Sequence, residues 1–426
     1  MKILIKNAKV ICPVQNIDDK KDILIENGII KDIAKPGTFS DKDAEKVIDA
    51  AGMIAAPGLV DMHTHLREPG HEGAETIATG TLAGAAGGFT SVAAMPNTHP
   101  VNDNPYVTAY MKTKAKEEGV IKVYPIGAIT EKQEGTQLAE IGEMIKAGIV
   151  AVSDDGECVM NSYVMRKAMD YCKQFNIPVI DHCEDTNLKG EGVMNEGYYS
   201  MKLGLRGIPA VSEEIMVARD ISLAHHTGCR THIAHVSSAG SIRIISEGKQ
   251  AGIPVTAEVT PHHLFLTEEA VVTYDPNTKM SPPLRTKEDT KAMRLALKNG
   301  IIDAIATDHA PHSVEKKDVE FQLSNNGIIG LETSLAWCLK LVHEGDLTLM
   351  QLIKVMSTNP AKILGLNAGS LEKGKPADVV IFNPTEEWTY EEDKILSKSK
   401  NTPLKGHKFK GKVKFTICDG KIVWQG

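Results

Sequence analysis

The chain has 426 residues, 42% hydrophobic and 24% charged, as expected of a globular protein with a large domain and a smaller one. Its net charge of −7 comes from mixed acidic and basic residues, which excludes the basic surface of a nucleic-acid-binding or membrane-surface protein. No apolar run reaches the ~18 residues of a membrane span. The N-terminus lacks a signal peptide, and the seven cysteines include no C-x-x-C pair, so we expect a cytoplasmic protein without disulfides.

Both ends of the chain alternate Val, Ile and Leu with charged residues, which is typical of strands with one face in water. Residues 1–53 carry the turn pair Asn27-Gly28, and residues 369–426 carry Asp419-Gly420. Neither end has enough apolar residues to fold alone. We therefore predict that residues 1–53 and 369–426 form one composite β-sandwich domain.

Between these ends, apolar runs alternate with helical stretches. The helices are predicted within 102–119, 161–175 and 212–228, from Asn, Asp or Ser near their starts and, for the first and third, Gly at their ends. Eight apolar runs are predicted to be strands, at 53–65, 88–97, 122–130, 148–156, 177–185, 231–238, 253–263 and 302–312. This α/β pattern predicts a (β/α)8 TIM-like barrel over residues 54–368.

Three connections are longer than a barrel needs, at 186–211, 264–286 and 313–330. Long loops at the catalytic end of a barrel often form lids or substrate walls, but they can also be surface decoration. The sequence leaves both interpretations open, including whether 313–330 closes over a substrate.

Polar residues that can bind metals stand at the C-terminal ends of the predicted strands. A His-x-His pair alone is as compatible with packing as with metal binding. Active sites of barrels are built at this one end, however, so a shared position there favours a metal site. The residues are His63, His65, Asp154, Asp155, Asp181, His182, His235, Asp308, His309 and His312.

Four histidines and two aspartates suit two ions bridged by a carboxylate and a water. Imidazole and carboxylate ligands favour Zn²⁺, with Mn²⁺, Co²⁺ and Fe²⁺ as alternatives. Such a site lowers the pKa of bound water toward neutrality. Asp308 could bind an ion or transfer a proton. Arg67 could grip a substrate carboxylate, the alternative being a salt bridge to Glu68 or Glu72.

A set of motifs distributed over the barrel resembles the cyclic amidohydrolases of the amidohydrolase superfamily. The motifs are HTHLREPG, MPNT, SDDG, DHCED, AHVSS, TPHH, SPPLRT and ATDHAPH. They are most similar to the bacterial dihydroorotases that lack a carbamylated lysine. Hydantoinases, allantoinases and other dihydroorotases carry that lysine on the fourth strand, whereas 148–156 contains none.

The resemblance implies zinc-dependent, reversible cyclisation of N-carbamoyl-L-aspartate to L-dihydroorotate in pyrimidine (UMP) biosynthesis. It implies one or two zinc ions, with two expected, and Asp308 as the catalytic acid and base. The implied metal ligands are His63, His65, Asp155, His182, His235 and Asp308. Asp155 is preferred over Asp154 as the bridge only from the family's spacing.

Substrate contacts are also implied by the resemblance. Arg67 and Asn97 would hold the α-carboxylate, His312 would contact the ring or the carboxylate, and the metal ligand His65 would also touch substrate. Two positions depart from the family, because Ser281 replaces an asparagine before Pro-Pro and Asn325-Asn326-Gly327 replaces Pro-Phe-Gly. Ser281, Asn326 and Gly327 are nevertheless predicted to line the substrate site.

Other functions remain open at this stage. A hydantoinase or allantoinase would act on another cyclic amide, although Arg67 would lack a carboxylate to pair with in simple hydantoins. A non-catalytic homologue could support aspartate transcarbamoylase, but all six ligand positions are filled. The expected partners are the small-molecule substrate, a second copy of the chain in a homodimer, and aspartate transcarbamoylase as a possible associate, with no nucleic acid or membrane.

Overall fold

The computed structural model describes residues 2–426. Eighteen strands are present: β1 Lys2–Cys12, β2 Ile17–Glu26, β3 Ile29–Ala34, β4 Lys46–Asp49, β5 Ile54–Pro57, β6 Leu59–Thr64, β7 Phe89–Ala94, β8 Lys122–Pro125, β9 Val152–Ser153, β10 Val179–Asp181, β11 Met194–Asn195, β12 Gly207–Ile208, β13 Thr231–Ile233, β14 Val255–Val259, β15 Ala304–Ile305, β16 Val379–Thr389, β17 Lys408–Cys418 and β18 Lys421–Gln425.

The α-helices are α1 Ile77–Ala86, α2 Pro105–Glu118, α3 Ile141–Ala147, α4 Ser162–Gln174, α5 Thr186–Lys189, α6 Tyr198–Leu203, α7 Val211–Thr227, α8 Ala239–Gln250, α9 Pro261–Phe265, α10 Lys287–Lys298, α11 Val314–Lys317, α12 Ser334–His343, α13 Leu349–Ile353 and α14 Asn359–Leu364. Short 3₁₀ turns span Asp41–Asp43, Glu131–Gln133, Glu268–Thr273, Pro276–Thr278 and Glu392–Lys394, and a π-helical turn spans Lys354–Thr358. In the part of the chain described, none of these helices combines the length and apolar character needed to cross a bilayer.

The strands from the two ends of the chain share one mixed sheet. Its order is β18-β17-β16-β5-β1-β2-β3, and β4 pairs with β1. The start of β3 also contacts the segment before β16, where Ile29 forms a bridge with Pro376. Side chains of both ends pack in one cluster, which includes Ile23 and Ile417. The terminal segments therefore bury their apolar faces against each other.

The apolar run at 53–65 forms two strands rather than the single strand we predicted. β5 joins the terminal sheet, whereas β6 pairs with β7 in another sheet. The break falls at Gly58, where a Cβ atom would lie 2.2 Å from the Thr90 hydroxyl oxygen. Only glycine lets the chain pass between the two sheets this close to Thr90.

The remaining predicted runs each contain a parallel strand. One sheet has the order β6-β7-β8, and another has the order β15-β14-β13-β10-β9. Single parallel bridges connect them on both sides, from Gly127 to Val152 and from Thr64 to His309. The three predicted helices are confirmed as α2, α4 and α7, with Asn104 and Asn161 capping the first two through their side chains.

Candidate active site

Six candidate ligands meet where the parallel strands end. His63 lies within β6 and His65 directly follows it, while the other four lie one to three residues after β9, β10, β13 and β15. The imidazoles are at most 5% exposed, and the Asp308 side chain is 13% exposed. The carboxyl ends of neighbouring parallel strands share one edge, so residues distant in sequence converge there. The four are Asp155, His182, His235 and Asp308.

Asp155 lies at the centre of this cluster. Its Oδ1 atom is 3.2 Å from His63 Nε2, 3.6 Å from His182 Nδ1 and 3.4 Å from His235 Nε2. Its Oδ2 atom is 3.4 Å from His65 Nε2. One carboxylate thus faces four imidazoles, two on each side of the cluster. This is the arrangement expected of a group that bridges two cations.

Asp308 closes the side of the cluster that holds the His-x-His pair. Its Oδ1 atom lies 3.0 Å from His65 Nε2 and 3.6 Å from His63 Nε2. On the other side, His182 Nδ1 and His235 Nε2 approach each other to 2.9 Å. The structure therefore forms two subsites, one of His63, His65 and Asp308 and one of His182 and His235, with Asp155 between them.

Several buried atoms of this cluster have no hydrogen-bond partner among residues 2–426. They include His63 Nε2 and Asp155 Oδ1, both of which point into the cluster. Leaving such atoms unpaired costs about 1–3 kcal/mol each, so native proteins rarely do so without a function. Nitrogen and carboxylate donors at this spacing fit a divalent transition metal or zinc. The residues present therefore fit a metal centre.

Charge in the cluster is strongly coupled. Burial alone would raise the pKa of Asp155, but the charge of His63 and the nearby imidazoles of His182 and His235 hold that pKa well below its usual range. Burial would lower the pKa of His182, yet the nearby carboxylates of Asp155 and Glu184 raise it to about 10. Without a cation, His63 and His182 thus retain protons that balance the carboxylates, and a bound cation would replace those protons.

Polar side chains behind the imidazoles set their orientation. His63 Nδ1 donates to Glu258 Oε1 at 2.7 Å, and His65 Nδ1 donates to Asn97 Oδ1 at 2.8 Å. Each contact leaves Nε2 free to act as a ligand. Sequence reasoning missed Glu258, although a glutamate inside the apolar strand β14 was a usable signal. The fully buried Glu258 also contacts His232 Nε2 at 3.2 Å.

Three other polar residues at strand ends face away from the cluster. Asp154 accepts from the backbone N–H groups of Ile129 and Thr130 at 2.7 and 3.0 Å. Asp181 lies beside Arg219, and His309 lies beside Glu75. The structure therefore places Asp155, not Asp154, among the imidazoles.

The backbone is strained at three residues of the site. His235, Asp308 and Arg67 have φ angles of 30°, 47° and 61°, in the left-handed region that residues with a Cβ seldom adopt. Such strain costs on the order of 1–3 kcal/mol per residue and is concentrated at functional sites. Here it turns the Asp308 and His235 side chains toward Asp155.

A cavity of about 370 Å³ opens directly on the cluster. Its lining includes Arg67, whose Nε donates to the Pro311 carbonyl at 3.1 Å. Beside it, His312 Nε2 donates to the Asn326 carbonyl at 2.7 Å. Burial and the nearby Arg67 charge lower the pKa of His312 to about 3, so the imidazole is neutral. The cavity thus pairs the half-buried Arg67 cation with a neutral imidazole.

The two positions that depart from the family pattern also line this cavity. The Ser281 hydroxyl lies 3.1 Å from Glu184 Oε1, and the Asn326 side chain is exposed. Gly327 has a φ of 116°, and a Cβ atom there would lie 2.6 Å from Ala310 Cβ. Glycine is therefore required where the 313–330 loop approaches the chain after β15.

Comparisons with known proteins agree with this arrangement. The model of the amidohydrolase family matches residues 54–423. A dihydroorotase of Geobacter metallireducens is 53% identical over 425 residues, which cover 100% of each chain. A dihydroorotase of Geobacter sulfurreducens is 54% identical over 423 residues, which cover 99% of each chain.

Solved structures share the fold. An L-hydantoinase (dihydropyrimidinase) from Arthrobacter aurescens superposes with a TM-score of 0.89 at 24% identity, covering 99% of this chain and 96% of that one. A dihydropyrimidinase from Brevibacillus agri gives a TM-score of 0.86 at 25% identity, covering 100% and 95%. With its full-length likeness to the dihydroorotases, the chain belongs to the amidohydrolase family and, within it, to the dihydroorotases.

Proposed function

We propose that the chain is a zinc-dependent dihydroorotase of pyrimidine (UMP) biosynthesis. It interconverts N-carbamoyl-L-aspartate with L-dihydroorotate and water. The observation that carries the proposal is Asp155 set among four imidazoles, with Asp308 beside them and Arg67 in the same cavity. This combination suits a substrate that has both a reacting amide and a free carboxylate.

Two zinc ions are proposed, one held by His63, His65 and Asp308 and one by His182 and His235, with Asp155 shared. Nitrogen and oxygen donors favour zinc among the available divalent metals. Such ions, when bound, polarise the substrate carbonyl and make a water nucleophilic near neutral pH. The absence of lysine from 148–156 supports Asp155 as the bridge.

Asp308 is the proposed catalytic acid and base. Burial would raise its pKa, but the charges of His63 and His65 and a hydrogen bond from His65 hold it well below its usual range. The group is therefore a carboxylate that can accept a proton at Oδ. In hydrolysis it would take the proton from attacking water and pass it to the departing ring nitrogen N3. In cyclisation it would return that proton as water leaves.

Arg67 and Asn97 are proposed to hold the α-carboxylate, and His312 is proposed to contact the ring or the carboxylate. Arg67 can form two parallel hydrogen bonds to a carboxylate. The Asn97 amide oxygen is occupied by His65, which leaves its Nδ2 group as a donor. Ser281, Asn326 and Gly327 are proposed to complete the wall of the substrate site, and His65 to touch the substrate as well as a metal.

The architecture proposed for this function is a closed (β/α)8 barrel over residues 54–368. The two single bridges, Gly127–Val152 and Thr64–His309, support closure of the ring of strands. Residues 1–53 and 369–426 form the proposed composite β-sandwich, which strand β5 extends by pairing with β1 and β16. A homodimer, with association to aspartate transcarbamoylase, is the proposed assembly.

Steady-state assays with L-dihydroorotate, allantoin and hydantoin test the function. The zinc-loaded chain is expected to turn over L-dihydroorotate with the highest kcat/KM, because only that substrate carries the carboxylate for Arg67. Arg67→Met should lower kcat/KM by roughly 10²-fold or more while zinc content holds. Faster turnover of allantoin or hydantoin, or no turnover of L-dihydroorotate, would contradict the proposal.

A further inference from the structure

Lys189 reaches the active-site cavity from outside the metal cluster. It is the last residue of the short helix α5, whose first N–H groups are capped by Asp185. The side chain is only 23% exposed although the helix lies in the long 186–211 connection. Lys189 lines the same cavity as His182 and Asp308. A lysine is therefore held inward at the site by its own contacts.

The ammonium of Lys189 has two partners among residues 2–426. It donates to Glu184 Oε2 in a short ion pair and to the Ser281 hydroxyl oxygen at 3.1 Å. A lysine ammonium has three N–H donors, so one donor remains for the cavity. The ion pair with the buried Glu184 fixes the group in place.

The shape of the proposed substrate requires a third point of attachment. In the dihydroorotate ring the carboxylate on C6, the C4 carbonyl and the C2 carbonyl alternate around six atoms. They point in three directions about 120° apart, as follows from the geometry of a six-membered ring. In the function proposed above, Arg67 binds the carboxylate and the metal centre binds the C4 carbonyl. The C2 oxygen is left without a hydrogen-bond donor. A fixed donor there would define the ring's orientation.

We propose that Lys189 donates a hydrogen bond to the C2 carbonyl oxygen of the substrate, which is the carbamoyl oxygen of the open form. Arg67 is beside Pro311 and His312, whereas Lys189 is beside Ser281 and Glu184. The two cations thus enter the cavity from different loops. Lys189 is a binding and orienting residue, and this role rests on the proposed dihydroorotase function.

Ser281 makes this geometry possible. Its side chain is short, and its hydroxyl is committed to Glu184 at 3.1 Å. The lysine ammonium can therefore extend over the serine toward the cavity. A longer amide at position 281 would occupy the same space and could itself donate to the carbamoyl oxygen. Ser281→Asn should accordingly recover part of the binding lost in a Lys189→Met variant.

The test compares Lys189→Met, Lys189→Arg and the wild-type holoenzyme in both reaction directions. Methionine keeps the length and apolar stem of lysine but removes the charge and its donors. We expect KM for both substrates to rise roughly tenfold to a hundredfold, with a smaller change in kcat. Arginine should recover part of the loss, and Lys202→Met, an exposed lysine on α6, should change neither constant.

A substrate analogue distinguishes a direct hydrogen bond from Lys189 to the C2 oxygen from a role of Lys189 in holding the site together. The 2-thio analogue of L-dihydroorotate replaces the C2 oxygen with sulfur, which is a weak hydrogen-bond acceptor. The wild type should bind it less tightly than L-dihydroorotate, and Lys189→Met should bind the two nearly alike. If Lys189→Met still binds L-dihydroorotate more tightly than the 2-thio analogue, Lys189 does not contact the C2 oxygen. The same conclusion follows if the variant loses zinc, because Lys189 would then act by holding Glu184 against His182.

The outcomes for the two proposals are distinct. Wild-type protein that holds zinc but does not turn over L-dihydroorotate would overturn the proposed function, and the role of Lys189 would fall with it. Active wild type with an unchanged KM in Lys189→Met would overturn only the role of Lys189. Melting temperatures of all variants show that each comparison is made between folded proteins.

Discussion

Two buried polar clusters lie on opposite sides of the end of strand β10. His182 faces the metal-ligand cluster, whereas Asp181 faces what we call the rear cluster, formed by Asp181, Arg219, Asp220, Cys158 and Cys183. Successive residues of an extended chain point to opposite sides, so one residue step separates the two environments. The ligand atoms of Asp181, Cys183 and Asp220 are also close enough together to hold an ion.

The clusters differ in how their charge is balanced. In the rear cluster, Arg219 donates to Asp220 Oδ1 at 2.8 Å and lies 3.3 Å from Asp181 Oδ2. Burial and the neighbouring Asp220 raise the pKa of Asp181, so that carboxyl keeps its proton. One guanidinium, one carboxylate and one neutral acid leave no net charge. The metal-ligand cluster has no permanent cation among its six ligands.

This difference shows that ligand spacing alone does not identify a metal site. Both clusters have suitable donor atoms at suitable distances. Only in the metal-ligand cluster do two carboxylates depend on imidazole protons for neutralisation, and only there do two unpaired atoms, His63 Nε2 and Asp155 Oδ1, face each other. Burying charge without a partner is costly, so the missing cation is the stronger indication of a metal.

The largest expected effect follows removal of the shared carboxylate. Asp155→Ala should lower kcat by about 10³-fold or more, because both proposed ions lose a ligand and the imidazoles lose their common partner. Activity and zinc per chain are the measurements. A variant with wild-type zinc content and activity would contradict the bridging role.

Asp154→Ala is the matched control for that variant. The neighbouring carboxylate accepts backbone N–H groups of Ile129 and Thr130, so its loss should destabilise the fold by about 1–3 kcal/mol. Zinc per folded chain should stay the same. Loss of zinc in Asp154→Ala with retention in Asp155→Ala would reverse the assignment of the two aspartates.

The rear cluster is tested by Arg219→Met. Removal of its only guanidinium leaves Asp220 and Asp181 buried without a cation, which should cost about 3–5 kcal/mol of unfolding free energy. Denaturant unfolding measures the loss, and Lys202→Met serves as a surface control. If stability is unchanged, the rear cluster does not depend on Arg219 and the comparison between the clusters fails.

Much of the fold could be predicted because two physical patterns in the sequence are strong. Apolar runs with helical stretches between them located the eight strands of the sheets β6-β7-β8 and β15-β14-β13-β10-β9. Parallel strands end at a common edge, which is why His63, His182 and Asp308 could be grouped before any coordinates. The division at Gly58 was missed, because a run that is apolar throughout gives no sign of passing from one sheet to another.

Details within a strand end could not be predicted from the residues. Asp154 and Asp155 are chemically identical neighbours, and only the path of the chain after β9 determines which faces the imidazoles. Glu258 stands out in the sequence as a glutamate within an apolar strand, but only the fold shows that it contacts His63 and His232. Such contacts join segments far apart in sequence.

Glu258→Gln should lower the affinity of the metal-ligand cluster for zinc, because Glu258 orients the ligand His63. The amide keeps the shape of the side chain but is a weaker acceptor for His63 Nδ1, so His63 becomes a poorer ligand. Loss of a supporting carboxylate typically lowers metal affinity or activity 10–100-fold, and we expect an effect of about that size. Competition with a zinc chelator measures it, and unchanged affinity would show that Glu258 does not orient the ligand.

The metal-free protein should bind zinc more tightly as pH rises. The nearby carboxylates of Asp155 and Glu184 outweigh burial and raise the pKa of His182 to about 10, so its proton must leave when Nδ1 binds a metal. Affinity should increase about tenfold per pH unit for each proton released, up to that pKa. Proton release on zinc addition in weak buffer at pH ~7 measures how many protons leave for each zinc ion bound. Zinc uptake without proton release would contradict this protonation.

The smallest expected effect is that of Cys183→Ser on zinc content. Cys183 is buried in the rear cluster, where burial and the neighbouring Asp181 and Asp220 raise its pKa and keep the thiol protonated. A thiol must lose its proton to bind zinc, and Arg219 already neutralises the cluster. Zinc per chain should therefore equal that of the wild type. If the variant holds one ion fewer, the rear cluster binds a metal despite Arg219, and charge balance does not distinguish the two clusters.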